Sequence, residues 1–536
     1  MARTVVSSKM TFSMKLYNIK NISKILLLGA ILLGPTSCSD FLDEQDPSNL
    51  QPDNFYTLPD HAEAAIAATY SELRFYGEGA GIFSANWQLL EAVTGTATTE
   101  TGQNSDLNNL YSLIHDGNTA HTSNWWNGLY RIIANANLAL EKIPGITFPA
   151  ANEPQKVKLL GEARFLRAWA YFNVVRLWGD APLITKPQTS ESEDFFPSRA
   201  PQEEIYKLIV EDLVAAEAAG FPAFATNGRA TQMAVKALLS KVYLTMAGFP
   251  LKKGASHYKL AADKAFEVIT YSKANPSTVN LFATYKELHQ ENLKNRLEHL
   301  FQIQYNTAVA GFPLNDYFPN FKAVTYAGLS GTGSTVPTRS FYDSFEKGDL
   351  RTKDQEGWFY TSYYTNGTGA PFELGAPYVF KYFNIAALGG PGITPTRLNN
   401  LNVNLIRYAE VLLIYAEAQN EIEGPTDEAY NAYKRIRDRA QLVTPAKATF
   451  TANSFREAVW RERWYEFAYE GITWFDMVRL RKVFNEKTKG FDEFVGHLNL
   501  NVGSGVPLQA KHLLFPLGTQ EMRNNPNLTP QNPGYN

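Results

Sequence analysis

The feature that most narrows the folds open to this chain is a helical period repeated along much of its length. Between Thr57 and Gly77, the residues Ala62, Ile66, Tyr70 and Leu73 recur three or four positions apart and so share one helix face. Thr57 with Asp60 reads as a capping pair, and Gly77 as a stop. The same period runs through 124–142, 154–178, 203–219, 229–247, 257–273, 403–423, 427–441 and 454–470. The last of these opens on a capping box, Ser454 with Glu457, and closes at Gly471. Residues 154–178 are apolar on more than one side (Leu160, Phe165, Leu166, Trp169, Phe172, Val175), which predicts a helix enclosed by others. Pairs with short connections, such as 203–219 with 229–247, predict tetratricopeptide-like hairpins. These stack to cover faces that one pair would leave wet.

Two stretches lack the period. Residues 78–123 are rich in Gly, Asn, Thr and Ser and read as a long loop. Residues 305–400 hold many Gly and Pro together with 19 aromatic residues, more than an ordinary loop uses. The expected fold is therefore mainly α. Stacked tetratricopeptide-like helix pairs over about 57–300 and 403–490 would carry a loop-rich, ligand-binding insert over about 305–400, all in one domain spanning 57–536. Long ordered loops usually carry function. Sugars are recognised by flat rings under their C–H faces and by carboxylates and amides at their hydroxyls. Loop-borne Trp87 with Glu91 close by, Tyr326, and Trp358 with Tyr360 supply those groups, and these five are the candidate ligand residues.

The N-terminus points outside the cytoplasm. Lys15, Lys20 and Lys24 precede a short apolar run from Ile25 to Leu33, then Thr36, Ser37 and Cys38. That order reads as a secretory signal over 1–37, with Met14 an alternative start. The run is too short for a membrane span of about 20 residues. Cys38 is the only cysteine, so it has no internal disulfide partner and is the expected lipidation site. Pro35 departs from the usual lipoprotein pattern three residues before the cysteine. Lipid chains contribute about 0.8 kcal/mol per buried methylene, so a multiply acylated cysteine is a stable anchor, and polar residues 38–56 suit a tether. The formal charge of −3 becomes −8 once the five cations of residues 1–37 are set aside. A mildly acidic protein is a poor phosphate neutraliser, which argues against nucleic acid.

No reaction centre is legible. There is no HExxH, no metal-spaced His or Cys pair, no nucleophile elbow and no Walker loop. No catalytic residue, metal or cofactor is assigned. Glu410, Glu417 and Glu421, and Glu462, Glu466 and Glu470, recur at helical spacing among Arg407, Arg461 and Arg463. That interleaving predicts a salt-bridged helix face rather than a glycosidase pair.

Ordered blocks spread along the chain resemble the SusD/RagB family of outer-membrane lipoproteins. They run from CSDFLDEQDPS at Cys38 through WNGLYRIIANAN at Trp126 and GEARFLRAWAYFNVVRLWGDAPLIT at Gly161. GRATQMAVKALLSKVYLTMAG at Gly228, FYDSFEKGDLR at Phe341 and RYAEVLLIYAEAQNE at Arg407 follow. FREAVWRERWYEFAYEGITWFDMVRL at Phe455 precedes the closing LLFPLGTQEM and NPNLTPQNPGY. The resemblance implies a right-handed stack of helix pairs and a lipid anchor at Cys38 on the outer face of a Gram-negative outer membrane. It also implies a SusC-like TonB-dependent β-barrel partner, to which the protein delivers captured oligosaccharide or polysaccharide without cleaving it. Peptide capture, as in the RagB branch, is the alternative ligand class. A pure scaffold is the other alternative, and it predicts buried aromatics in 305–400.

Overall fold

The helices form where apolar periodicity and local capping agree, with their ends moved by a few residues. The computed structural model describes residues 55–314, 332–364, 371–382, 399–501 and 505–535. The leader, Cys38 and most of the tether lie outside the described residues, as does Tyr326. Thirteen α-helices occur among the described residues. They are α1 (Pro59–Glu72), α2 (Ser105–Tyr111), α3 (Ala120–Lys142), α4 (Glu153–Trp178), α5 (Gln202–Glu217), α6 (Gln232–Ala247) and α7 (Ala255–Ala274). After an irregular stretch come α8 (Arg339–Ser344), α9 (Tyr408–Glu423), α10 (Asp427–Arg439), α11 (Ala452–Phe467), α12 (Thr473–Leu480) and α13 (Thr519–Asn524). Tyr56–Asn536 forms one compact unit.

Packing follows chain order. Helix α3 lies on α1 and α4, α4 on α5, α5 on α6, α6 on α7, and α9 closes the row against α7, α10 and α11. Helix α4 is enclosed as apolar residues on more than one side predict, with Phe165, Leu166, Trp169, Phe172 and Val175 buried. Its contact with the end of α5 is close because Gly161 has no side chain. A Cβ there would stand 2.4 Å from that of Ala219.

Four local readings need correction. Helix α1 starts at Pro59 after Leu58, with no side-chain cap from Thr57, because a proline at the first position has no N–H to satisfy. Helix α11 is capped by Thr451, whose hydroxyl accepts from Ser454 N at 3.2 Å, and it ends at Phe467, before Tyr469 turns left-handed. Residues 403–407 form an antiparallel strand with His299–Ile303, since pairing across the fold overrides a period that suits either element. The two loop regions also hold regular structure. Residues 86–90 form a 3-10 turn, α2 follows, and Phe359–Tyr364 pairs with Pro371–Val379 in a hairpin.

The carboxylate rows of α9 and α11 do not form a solvated face. Glu410, Glu417, Glu462 and Glu466 sit in the core, and Glu421 and Glu470 are half-buried. Arg407 bonds Glu298 at 2.5 Å, Glu466 at 3.0 Å and Glu470 twice at 2.8 Å. Arg439 takes the remaining oxygen of Glu298 at 2.5 Å and also reaches Glu466 at 2.6 Å. Arg351 spans Asp349 and Glu462, and Lys381 joins Glu470 at 2.5 Å. Burial alone would raise the Glu470 carboxyl, but Arg407 and Lys381 pull it down to about 2. Its contribution to stability is therefore present above the ordinary carboxylate range and is lost as pH falls from about 4.5 toward 2.

Glu466→Ala leaves three buried arginines, Arg351, Arg407 and Arg439, short of a partner. It should cost on the order of 3–5 kcal/mol. Glu428→Ala, on the exposed start of α10, should change stability by less than about 0.5 kcal/mol. Urea midpoints of the two variants against the parent decide this, and equal midpoints would contradict it.

Candidate functional site

The site begins with the chain after α1. A 3-10 turn over Leu73–Gly77 leads into residues 78–104, which double back over the core. Their inward residues form a fixed base. The Gln88 side chain donates to Thr335 Oγ1 at 2.7 Å, and Tyr111 OH donates to Ser334 O at 3.0 Å. Ala97–Thr98 pairs antiparallel with Val336–Pro337. Tyr469 OH donates to Thr96 O at 3.1 Å, tying this base to the end of α11.

Outward residues are arranged by that base. Asn104 caps α2 by accepting from Leu107 N at 2.9 Å, and its amide donates to Ala80 O at 3.1 Å and Ile82 O at 3.0 Å. The turn so held lifts Ile82 and Phe83 into solvent, 57% and 37% exposed, with Phe83 in the left-handed region at φ 57°. Beside it, Glu100 N donates to Gly333 O at 2.8 Å while its carboxylate accepts from Tyr378 OH at 2.8 Å. Segment 99–104 thus joins two others, through Asn104 to 79–83 and through Glu100 to Gly333 and to Tyr378 of the hairpin's second strand.

The structure relocates the expected ligand residues. Trp87, Glu91, Trp358 and Tyr360 are all 0% exposed, so they lie in the interior and offer no open ring or carboxylate to a ligand. Trp87 packs against Tyr382 at 6.2 Å between centroids. Trp358 donates from its indole to Tyr465 O at 2.9 Å, with Lys381 Nζ 3.8 Å over its ring and Tyr285 edge-on at 4.6 Å. Tyr360 packs between Tyr378 and Phe380. The physical reason is area. A Trp or Tyr buries about 150–250 Å², and loops of this length need such rings as their own core. Of the aromatics in 305–400 whose side chains are described, Tyr342 is half-buried and the others are buried, as a scaffold reading requires. Tyr326 lies outside the described residues.

Glu91 is a buried acid. Gly471 N donates to its Oε1 at 2.6 Å, and burial pushes its carboxyl up to about 8. It holds two segments together instead of meeting ligand. The paired carboxylates of α9 and α11 are bound by Arg and Lys, and with Glu470 near 2 that group has no proton to donate to a bound sugar. Among the described residues, no group of three His, Cys, Asp or Glu could hold a metal ion, and no helix is long and apolar enough to cross a membrane.

A second surface escaped the sequence reading. An open cleft of about 530 Å³ runs beside α3, walled by Trp126, Tyr130 and Phe195, with Asn127, Gln188 and Asn525 at its edges. Trp126 and Tyr130 pack at 4.7 Å, and Phe195 with its neighbour Phe196 stands 47% exposed. Trp126 and Tyr130 sit in a helical block, where an aromatic reads as core.

A model of the SusD family matches residues 338–535, and a second, described as starch-binding associating with outer membrane, matches 40–244. A crystal structure of a SusD superfamily protein from Parabacteroides distasonis is 33% identical, with a TM-score of 0.81 over 91% of this chain and 100% of that one. The chain belongs to the SusD family. SusD-like protein P2 of Formosa agariphila is 27% identical over 94% of this chain and 98% of its own length. A laminarin-binding SusD-like protein shares the fold at a TM-score of 0.68 and 22% identity, over 90% of this chain and 100% of that one. The SusD-family matches include both loop-bearing regions, because 40–244 contains the 79–104 segment and 338–535 contains the hairpin.

The raised carboxyl of Glu91 has a definite sign. A folded-state pKa above the unfolded value contributes fully below about pH 4.5, and that contribution is lost as pH rises through 8. Glu91→Gln should therefore match the parent near pH 5 and become the more stable protein at pH 9, by on the order of a few kcal/mol. Thermal melts across that range measure it; parallel pH profiles would refute it.

Proposed function

We propose that this SusD-family protein captures oligosaccharide on the outer face of a Gram-negative outer membrane and hands it to a SusC-like TonB-dependent transporter. What carries the reading is the convergence of segments 79–83, 99–104 and the 359–379 hairpin over a rigid base, with Ile82 and Phe83 raised from it. An apolar platform beside Glu100 and neighbouring main-chain groups suits a sugar's C–H face and hydroxyls. The laminarin-binding neighbour and the starch-binding family description support the ligand class. Trp87, Glu91, Trp358 and Tyr360 then act as the floor that sets the platform's height, with no direct contact to sugar.

Isothermal titration against laminarin, xyloglucan and starch oligosaccharides tests this. Phe83→Ala should weaken binding about fivefold or more, the worth of one stacked ring at ~1 kcal/mol. The aromatic cleft beside α3 is the second reading, and Phe195→Ala weakening binding while Phe83→Ala does not would favour it. No glycan binding, with capture from peptide pools instead, would replace the ligand class.

The anchor belongs to the same proposal. Cys38→Ala should move the protein from the membrane fraction to the soluble fraction with glycan affinity unchanged. Joint loss of attachment and affinity would refute a purely tethering role.

A further inference from the structure

A second cavity, about 200 Å³, lies on the helical side, between the C-terminal end of α4, the end of α6, α12 and the segment 510–514. Its walls are mostly apolar, with Gln202, Tyr206 and Thr245 as neutral polar groups, and every charged group is cationic: Arg176, Arg479, Arg481 and Lys511 all line it. Arg479 is spent, since it bonds Glu417 at 2.5 and 2.8 Å and Asp476 at 2.8 Å. The others are not. Arg176 is clamped between the rings of Phe172 and Phe475, 3.7 and 3.5 Å from its guanidinium carbon. Its Nε donates to Phe172 O and its Nη2 to Asn173 Oδ1, both at 2.8 Å, and no carboxylate pairs with it among the described residues. Arg481 stacks over Phe249 at 5.1 Å, and its Nη1 is buried with no hydrogen-bond partner. Among the described residues, Lys511 reaches only the Tyr535 ring, at 5.4 Å.

Neighbouring acids do not balance these charges. Glu410 is held by Lys241 and Arg463, Glu417 by Arg479, and Asp476 by Arg463 and Arg479. Three acids thus face Arg176, Lys241, Arg463 and Arg479, an excess of one positive charge before Arg481 and Lys511 are counted. Burial lowers Arg176 to about 9, which still leaves it charged at neutral pH. Buried charge without a counter-ion is costly, and a clamped guanidinium edge is preorganised for a planar anion.

We propose that this cavity binds a small organic carboxylate, its anionic end between Arg176 and Arg481 and its apolar body against Phe249, Val478 and Leu514. The volume lies below the ~300–1,000 Å³ of pockets for drug-sized ligands, so the occupant is small. The site is separate from the loop face and independent of the glycan reading.

Calorimetry and thermal melts of the purified full chain with phenylacetate, its neutral counterpart 2-phenylethanol, and inorganic phosphate test the proposal. Phenylacetate should bind saturably with a Kd below ~1 mM and raise the melting temperature, while 2-phenylethanol should do neither. Arg481→Gln should weaken phenylacetate about tenfold without altering the circular dichroism of the free protein. Lys511→Gln, at a partly exposed position, serves the same purpose if Arg481→Gln does not fold, with a loss of about threefold. Equal behaviour of acid and alcohol would overturn the proposal. So would tighter binding of phosphate than of phenylacetate, absence of saturable binding, or unchanged affinity in the folded variant.

Discussion

Arg407 is the point where the two halves of this protein are joined. It stands at the boundary between a strand and α9, and its guanidinium reaches Glu298 on the neighbouring strand's approach and Glu466 and Glu470 at the end of α11. Arg439 from α10 closes the ring through Glu298 and Glu466, and Lys381 brings in the segment that follows the hairpin. Each carboxylate has at least two cationic contacts, which is the condition under which buried charge is tolerated. The geometry is demanding, so the elements that supply these charges are held in one register.

The loop-rich half inherits its order from that ring. Trp358 lies under Lys381, and its indole bonds Tyr465 O on α11. Phe380 N donates to Trp358 O at 2.6 Å, and Trp358 N to Arg351 O at 2.7 Å, so the hairpin's start and end are both tied to the charged core. Gly357 makes this approach possible, since a Cβ there would stand 2.2 Å from Arg351 O. On the other side, Glu91 grips Gly471 and Tyr382 OH bonds Tyr469 O. The outer face rests on this frame, which is how segments with little regular structure can present fixed groups.

The helices were legible because a 3.6-residue period survives any choice of partners. The row from α3 to α7 follows it closely, and α4 was recognisable as interior from apolar residues on more than one side. Ends were less legible, because Thr451 and Pro59 compete with nearby residues whose side chains look equally suited to capping. The strand at 403–407 was hidden since Leu405 and Ile406 fit either period, and its partner lies about 100 residues away. The site was the least legible part. Trp87, Trp358 and Tyr360 stand in Gly-rich surroundings that resemble a binding loop, yet composition cannot distinguish a ring offered to a sugar from one that fills the space beneath a long loop. Ile82 and Phe83 had no such signal. Their exposure depends on Asn104, more than 20 residues away, holding the carbonyls of Ala80 and Ile82.

Charge balance separates structural clusters from those open to a ligand. Around Arg407 each acid meets at least two cations, and both Arg407 and Arg439 are held charged by their acids. Around Arg176 the same residue type is lowered by burial, because its nearest acids are already committed to Lys241, Arg463 and Arg479. Arg407, buried in the core, and Arg176, half-buried at a cavity wall, therefore face opposite situations. The first has its counter-charge inside the chain and acts as a joint. The second is clamped in place by two rings with no carboxylate partner, and a cavity lies where that partner would be. A fold maintained only for packing has no reason to keep such a charge there, since an apolar side chain of similar size would fill the space without the desolvation penalty.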